Sequence, residues 1–402
     1  MPPSYMLNVP LCYLVKICDL ALYSWAASSG VRTYIESKIE YVRRRPDLEH
    51  VVIVPDAAHS VSQIGRTKMI RVAGVRSPYP GVHLALNVVR VARLIESESP
   101  DLIEVNCQYT LAWAAFLATR QRRVPVVGVY HTDVPACVRH WTRALGATAS
   151  TAVERLVESY EGLIYRRCTL TILLHEGLRQ RVERLGVRRV EILPCGVNTA
   201  IFHPGQRSAA FRCRQQIAPT QTAVLYAGRF SPEKEVDVLI AAFEQLPAHR
   251  FVLLLAGDGP DVDGIARYAS GHPHVRYLGH LDRQDLATAY ASSDVFVTPG
   301  RFETFGMSTL EALSCGLPVV GIRDSGTSAL VPAHLGRLTA PGDPAAMAHA
   351  IREVADGAIE ATREAAHAFA AQGFSWDHVL DQYLVTYRRL LERSVAPMEV
   401  TA

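Results

Sequence analysis

The stretch "RFETFGMSTLEALSCGLPVV", Arg301 to Val320, holds a loop, a helix start and a strand in one short segment. Gly306 precedes a helical run that Gly316 ends, and apolar strand-like runs, "DVFVTPG" and "LPVVGI", stand before and after it. Strand, loop, helix and strand in this order form one unit of a parallel α/β sheet. The unpaired backbone N–H groups of Phe305, Gly306 and Met307 at the helix start predict an anion site.

Two carboxylates in this stretch, Glu303 and Glu311, have different local explanations. Ser308-x-x-Glu311 is a capping-box pattern, in which Glu311 accepts a hydrogen bond from the Ser308 N–H. No helix rule explains Glu303, which lies in the loop where a ligand would arrive. Beside a bound anion, the simplest role for its carboxylate is to accept hydrogen bonds from sugar hydroxyls.

The same alternation of apolar strands and amphipathic helices extends along the whole chain. Runs such as "HVVIVP", "VPVVGVY", "AVLYAG" and "FVLLLAG" predict buried strands of parallel sheets that helices cover on both faces. A chain of 402 residues favours two domains over one core. We therefore predict an α/β protein with domains at residues 1–197 and 198–373, and a final helix and tail at residues 374–402.

Composition excludes several classes of protein. A net charge of +3 gives no support for a nucleic-acid partner. The eight cysteines include no C-x-x-C pair, which favours free thiols in a reducing compartment. The sequence has no cluster of His and Cys residues at the spacing of metal ligands, so we expect no metal site. We find no targeting signal and no apolar run long enough to span a bilayer, so we expect a cytoplasmic protein that at most touches a membrane surface.

A second candidate phosphate site lies in "YAGRFSPEKEVDVLI". A predicted strand ends at Gly228, Arg229 follows at its carboxyl end, and Ser231-Pro232 is a typical helix start with Lys234 in the first turn. Two cations beside a helix N-terminus at this edge of a parallel sheet suit a diphosphate. Taken alone, an Arg and a Lys in such a pattern more often simply face solvent, and this interpretation is favoured until further evidence is added.

Five segments in register resemble the retaining glycosyltransferases of the large family 4, whose motif is Glu-x7-Glu and whose members include sucrose-phosphate synthases and bacterial α-mannosyltransferases. They are the opening stretch, "SSGVRTYI", "YHTD", "PCGVNTAIFHP" and "YAGRFSPEK". The resemblance covers nearly the whole chain. It implies the GT-B fold, in which two Rossmann-like domains face each other across a cleft and the C-terminal helix crosses back to the first domain.

The resemblance also implies roles in binding a nucleotide-sugar donor. Arg229 and Lys234 would neutralise its diphosphate in place of a metal ion, and Gly30 would offer backbone N–H groups from the opposite domain. Glu303 would bind the donor sugar and Glu311 the ribose. Further donor contacts are implied for the segment "GHLDR" and for the main chain at the start of the helix, at Leu281, Arg283, Phe305, Gly306 and Met307.

His131 completes the implied catalytic group with Glu303, Arg229 and Lys234. A lone histidine is more often structural, but in "YHTD" it ends a predicted strand at the ligand edge and resembles the histidine that faces the donor sugar. On the acceptor side, we name three candidate contacts: Tyr109, Asp133 and Arg139.

The implied activity is retaining transfer of a hexosyl group to an acceptor hydroxyl without a metal or other cofactor. A UDP-sugar is favoured as donor on family frequency, with GDP-mannose as the other candidate. The acceptor is a lipid, a glycan or a small natural product. Two alternatives stay open: a sugar-nucleotide epimerase of the same fold, and a non-catalytic subunit that binds the donor.

Overall fold

The computed structural model describes residues 14–22, 29–77, 82–357 and 359–395. Ser28 of the predicted Gly-rich loop and residues 396–402 of the predicted tail lie outside these ranges. The strands of the first half are β1 (Val15–Leu20), β2 (Leu48–Asp56), β3 (Ser60–Ile64), β4 (Thr67–Ala73), β5 (Val75–Arg76), β6 (His83–Leu84), β7 (Leu102–Val105), β8 (Val126–Tyr130), β9 (Leu170–Leu173) and β10 (Val190–Ile192).

Eight of these strands form one sheet in the order β10-β9-β8-β7-β1-β2-β4-β3, while β5 and β6 pair as a separate hairpin. All neighbours in the sheet are parallel except the edge pair β3 and β4. In β8 every residue is buried, as a continuous apolar run between two helical layers requires.

A second sheet forms from the other half of the chain. Its strands are β11 (Thr222–Ala227), β12 (Phe251–Ala256), β13 (Val275–Gly279), β14 (Val295–Val297), β15 (Val319–Ile322) and β16 (Gly336–Thr339). They run in the order β13-β12-β11-β14-β15-β16 and all pairs are parallel. The predicted fold class of two parallel-sheet, Rossmann-like domains is confirmed.

Helices connect the strands and cover the faces of both sheets. They are α1 (Gly30–Arg43), α2 (Val88–Glu98), α3 (Thr110–Ala118), α4 (Val134–Trp141), α5 (Ala147–Tyr165), α6 (Arg179–Arg184), α7 (Ala209–Arg214), α8 (Val236–Phe243), α9 (Val262–Gly271), α10 (Arg283–Ser292), α11 (Met307–Ser314), α12 (Pro344–Asp356), α13 (Ile359–Phe374) and α14 (Trp376–Val395). Within the described ranges, no helix is both long enough and apolar enough to cross a bilayer.

The strand order places a ligand crevice in each sheet. In the first sheet β1 lies between β7 and β2, and in the second β11 lies between β12 and β14, so the winding direction reverses beside β1 and beside β11. Ligands of open α/β sheets bind at such points, outside the carboxyl ends of the strands. The residues that follow β7, β11 and β14 are therefore placed to form a site.

Two chain segments connect the halves, and they are hydrogen-bonded to each other. Val197 N–H donates to the Phe374 carbonyl at 2.7 Å, and Trp376 N–H donates to the Val197 carbonyl at 3.3 Å. Gly196 packs so closely here that a Cβ on it would lie 2.7 Å from the Trp376 ring. The predicted domain boundaries, after residues 197 and 373, fall in these paired segments.

The final helix, α14, crosses back onto the first half of the chain, as expected. Ser375 precedes it, and its hydroxyl accepts a hydrogen bond from the His378 N–H. Asp377 binds Arg44, which directly follows α1, and Asp381 accepts a hydrogen bond from the Tyr41 hydroxyl of α1. These contacts hold α14 along α1, the helix that begins at the predicted diphosphate site.

Candidate functional site

The centre of the cleft holds an ion pair between Lys234 and Glu303, which are far apart in sequence. Lys234 Nζ lies 2.7 Å from Glu303 Oε2, and both side chains are partly exposed. Burial would raise the pKa of Glu303, but Lys234 and the backbone N–H groups of Phe305 and Gly306 outweigh it and hold that pKa below its usual value. Burial would lower the pKa of Lys234, yet Glu303 raises it. Both groups therefore stay charged near neutral pH.

The loop that carries Glu303 is fixed by its main chain. Gly326 N–H donates to the Glu303 carbonyl at 2.6 Å, and the N–H groups of Phe305 and Gly306 point to the Glu303 carboxylate. Two of the predicted anion donors are thus engaged by the carboxylate of their own loop. The Glu303 carboxylate therefore lies beside the backbone N–H groups of Phe305 and Gly306.

Arg229 and Lys234 follow β11 at the switch point, as predicted, but the local structure differs from the prediction. The Ser231-Pro232 pair begins a 3-10 turn, Pro232–Lys234, rather than an α-helix. Glu235 then adopts a left-handed conformation with φ 49°, and α8 begins at the following residue. The predicted start at Ser231 and Pro232 is therefore confirmed, with Ser231 as N-cap and Lys234 in the first turn, but the helix is a single 3-10 turn that is not continuous with α8. Arg229 is exposed, and its carbonyl accepts a hydrogen bond from the Tyr226 hydroxyl at 2.8 Å.

The capping-box explanation of Glu311 is wrong. Gly306, with φ 95°, is the N-cap of α11, so Ser308 already lies inside the first turn. The Glu311 carboxylate instead accepts a hydrogen bond from the Tyr290 hydroxyl at 3.3 Å. Burial raises the pKa of Glu311 to about 7, although Tyr290 and Arg283 oppose this shift. Glu311 is thus a partly exposed carboxylate on the cleft side of α11 with no role in capping.

The first turns of α1 and α11 face each other across the cleft. Gly30 is the first residue of α1 and Met307 is the first residue of α11. A Cβ added to Gly30 would lie 3.6 Å from Met307 Cγ. Ser29 caps α1 by accepting from the Arg32 N–H at 3.2 Å. The two helix N-termini therefore converge on one point, where their dipoles favour negative charge.

His131 follows β8 at the carboxyl edge of the first sheet and is half-buried. Its Nε2 lies 2.7 Å from Asn106 Oδ1, and its ring contacts Tyr34 edge-on with 5.3 Å between centroids. Burial lowers the pKa of the His131 imidazole to about 4. The ring is therefore neutral at physiological pH, which fits hydrogen bonding to a sugar and not a permanent positive charge.

The predicted base-binding segment contains a contact across the cleft. Arg283 at the start of α10 forms an ion pair with Glu36 of α1, with 2.6 Å between Nη2 and Oε2. Glu36 also binds Arg32 of its own helix at 2.7 Å. Leu281 is partly buried against the core. Arg283 thus links the two halves in this structure, a contact that the sequence did not predict.

Of the acceptor-side candidates, Asp133 directly precedes α4, Arg139 lies in the last turn of α4, and Tyr109 directly precedes α3. The Asp133 carboxylate caps this helix by accepting from Ala136 N–H, and it also binds Arg181 at 2.9 Å. Asp133 N–H donates to Thr304 Oγ1 at 3.3 Å, which joins this region to the loop of Glu303. Arg139 and Tyr109 are exposed, and Arg139 lies 3.3 Å from Glu154. Asp133 therefore has a structural role, and its predicted contact with the acceptor stays a prediction.

Sequence reasoning missed the partners of the predicted residues, namely Asn106 for His131, Tyr290 for Glu311 and Thr304 for Asp133. Asn106 carried a readable signal, because it is a polar residue that directly follows β7 at the switch point. Tyr290 and Thr304 carried none. Within the described residues, no group of three or more His, Cys, Asp or Glu side chains is arranged to hold a metal ion.

Comparison with known proteins places two family models along the chain. The model described as "Glycosyl transferases group 1" matches residues 208–375, and the model described as "Glycosyl transferase 4-like domain" matches residues 29–196. Together the matches include every catalytic candidate that the sequence predicted.

Two relatives from Mycobacterium tuberculosis cover nearly the whole chain. A GDP-mannose-dependent alpha-(1-6)-phosphatidylinositol dimannoside mannosyltransferase is 30% identical over 92% of this chain and 96% of its own length. A GDP-mannose-dependent alpha-mannosyltransferase is 30% identical over 91% of this chain and 94% of its own length. Among solved structures, sucrose-phosphate synthase from Thermosynechococcus elongatus superposes with a TM-score of 0.78 at 20% identity, covering 94% of this chain and 100% of that one.

Proposed function

This chain belongs to the glycosyl transferases of group 1 and is a glycosyltransferase that uses a nucleotide sugar, and from that premise we propose that it transfers mannose from GDP-mannose to an acceptor hydroxyl with retention of configuration. The resemblance on which the predicted family rested is confirmed. The donor, the stereochemistry and the acceptor are the proposal.

The observation that carries GDP-mannose is the pair of relatives that match over nine-tenths of this chain. Both are named as GDP-mannose-dependent mannosyltransferases. The expectation of a UDP-sugar rested on the frequency of that donor in the family. Full-length similarity to mannosyltransferases is more specific to this chain, so we favour GDP-mannose.

The cleft supplies what departure of a diphosphate requires. The N-termini of α1 and α11 converge, Lys234 contacts Glu303 in the loop that leads into α11, and Arg229 follows β11 on the same side of the second sheet. Negative charge develops on the diphosphate oxygen as the bond to the anomeric carbon breaks. Fixed positive groups stabilise that charge more than they stabilise the ground state, and this difference lowers the barrier. The proposal assigns no metal to this step.

The donor contacts follow from the carboxylates. Glu303 accepts hydrogen bonds from mannose hydroxyls, and its ion pair with Lys234 brings the sugar close to the leaving diphosphate. Glu311, on the next helix, accepts from the ribose hydroxyls. His131 faces the same sugar from the first sheet and bonds to one of its hydroxyls.

The transfer step itself needs no further group. The bond between the anomeric carbon and the diphosphate oxygen breaks, and its electron pair leaves with GDP. The acceptor hydroxyl oxygen bonds to that carbon from the same face. Its proton passes to the departing diphosphate oxygen, which balances the charge. Attack on this face retains the configuration.

The acceptor proposal rests on one relative's name. That relative acts on a phosphatidylinositol dimannoside. We take the acceptor of this chain to be a mannosyl or inositol hydroxyl of such a glycolipid, bound on the first sheet beside Tyr109 and Arg139 and within reach of His131.

A donor panel tests the proposal. Purified protein is incubated with GDP-mannose, UDP-glucose, UDP-galactose or ADP-glucose, with and without phosphatidylinositol mannosides, and the products are followed by mass spectrometry. We expect release of GDP and addition of one hexose with GDP-mannose, at least tenfold faster than release of any other nucleotide. Faster turnover of a UDP-sugar, or isomerisation of a donor without transfer, would overturn the proposal.

Titration of Glu311 predicts a pH-dependent affinity for GDP. Because its pKa is raised to about 7, Glu311 loses its charge as the pH falls through that value. Charged acceptors make hydrogen bonds roughly twice as strong as neutral ones, so we expect GDP to bind about fivefold more weakly at pH 6 than at pH 8. Calorimetry measures this dissociation constant.

The Glu311→Gln variant is the control for this prediction. It keeps the shape of the side chain and has no charge to lose, so the pH dependence that remains in it belongs to the diphosphate and to other groups. An equal change with pH in the wild type and in the variant would show that the Glu311 carboxylate does not bind the ribose.

A further inference from the structure

A buried polar network lies under the cleft at the switch point of the first sheet. Lys38 Nζ of α1 binds two carboxylates, Asp19 Oδ1 at 2.9 Å and Glu104 Oε2 at 3.0 Å. Tyr34 donates to Glu104 Oε1 at 2.9 Å, and His50 Nε2 lies 2.6 Å from Asp19 Oδ2. All five side chains are buried. Removing charged groups from water costs free energy, so a buried charged network at this position suggests a functional role.

Asn106 connects this network to the cleft. Its Nδ2 donates to Glu104 Oε1 at 3.0 Å and faces Asp19 Oδ1 at 3.5 Å. Both partners are carboxylate oxygens, which accept hydrogen bonds from the amide nitrogen and would repel the amide oxygen. The Asn106 amide therefore has one favoured orientation, with Oδ1 pointed at His131. Its backbone N–H also donates to the Leu20 carbonyl at 2.8 Å, which fixes its position.

This orientation assigns the tautomer of His131. An amide oxygen can only accept, so the His131 Nε2 that lies 2.7 Å from it carries the proton. Burial lowers the pKa of the ring to about 4, so the ring is neutral at neutral pH and only one of its two nitrogens carries a hydrogen. Among the described residues, Nδ1 of His131 has no hydrogen-bond partner, and this atom is not buried.

We propose that Asn106 is the positioning residue of His131, holding the imidazole as the Nε2–H tautomer so that Nδ1 accepts a hydrogen bond from a hydroxyl of the bound sugar. This inference rests on the proposed function for the identity of the sugar. The orienting chain runs from Asp19 and Glu104 through Asn106 to the ring. With the opposite tautomer, Nδ1 would carry a hydrogen and could not accept that bond.

Histidine NMR tests the inference directly, because the nitrogen shifts of the two tautomers differ. Protein labelled with ¹⁵N-histidine is compared in the wild type and in Asn106→Leu, and the His131 signals are identified by their loss in His131→Gln. We expect Nε2–H in the wild type and a shift toward Nδ1–H in Asn106→Leu. The transfer rate constant kcat should fall about tenfold in that variant, the loss of roughly one hydrogen bond, with GDP affinity within about twofold.

Asn106→Asp is the rescue variant. Beside Asp19 and Glu104 the introduced carboxyl group keeps its proton, so it donates to Glu104 where the amide donated and accepts from His131 at the same place. We expect it to restore the Nε2–H tautomer and most of kcat. If Asn106→Leu does not fold, the wild-type spectrum still tests the inference, because Nδ1–H there would overturn it.

Gln108→Leu is the matched control. Gln108 is also a buried amide beside β7 and donates to the buried carboxylate of Glu161 at 3.1 Å, but it makes no bond to His131. We expect it to leave the His131 signals in place. Nδ1–H in the wild type, or an unchanged tautomer in Asn106→Leu, would overturn the inference. The tautomer is read without any donor, so this failure is distinct from a failure of mannosyl transfer.

Discussion

Replacing Lys234 with alanine is expected to reduce kcat with GDP-mannose by about 100- to 1000-fold. Removal of one donor or cation from the point where charge develops has an effect of this order. Lys234 also holds Glu303 at 2.7 Å, so its loss leaves a carboxylate without its ion pair beside the donor diphosphate. Steady-state kinetics with a coupled GDP assay measures the loss.

Two controls separate catalysis from general damage. Lys68→Ala removes the lysine of another ion pair, Lys68 with Glu98, on the first sheet away from the cleft, and it should change kcat less than twofold. In the double variant Lys234→Ala/Glu303→Ala, the unpaired carboxylate is absent. We expect a smaller loss than the product of the two single losses, because the two side chains act as a unit. If the loss of kcat in the double variant equalled the product of the two single losses, Lys234 and Glu303 would not act as a unit.

Gly326→Ala is expected to reduce kcat/KM by more than about 100-fold, although residue 326 makes no predicted contact with substrate. A Cβ at this position would lie 2.4 Å from both Phe305 N and the Thr304 carbonyl carbon. These are backbone atoms, so the loop of Glu303 has to move, and misplacement by about 1 Å can cost a factor of this size. We also expect a destabilisation of about 1–3 kcal/mol from overpacking.

Gly264→Ala is the matched control, because an added Cβ there meets no atom within 4 Å and the residue lies within α9. Alanine is the better helix former, so thermal stability should be equal or higher and activity unchanged. Circular dichroism and thermal unfolding show whether Gly326→Ala remains folded. Full activity with an unchanged melting temperature in Gly326→Ala would mean that the loop does not have to be held where the structure has it.

Much of the fold followed from local sequence patterns. The fully buried runs of β8 and β12 predicted parallel strands, because a strand covered on both faces has no polar side to show. A final helix was expected after residue 373, and α14 begins at Trp376. A helix does start at Ser231-Pro232, but it is a single 3-10 turn, because the left-handed Glu235 ends it before α8 begins.

For the candidate site, too, the sequence predicted the positions of residues along the chain but not their contacts. The sequence placed Arg229, Glu303 and His131 after strands, at the edge where the sheets bind ligands. It did not give their partners. Glu311 shows why: the capping box was a sound local reading, but Gly306 begins the helix earlier and leaves that carboxylate to Tyr290 of another helix.

By itself, the sequence determined that this protein has two parallel α/β sheets and which residues stand at their carboxyl edges, because strand and helix periods and turn residues act over a few positions. The tertiary structure decided which of those residues meet: Lys234 with Glu303, Arg283 with Glu36, and Asn106 with His131. Such pairs depend on strand order and on how the two halves pack. Contacts between distant segments leave no period in the chain, so they become visible when the sheets are assembled.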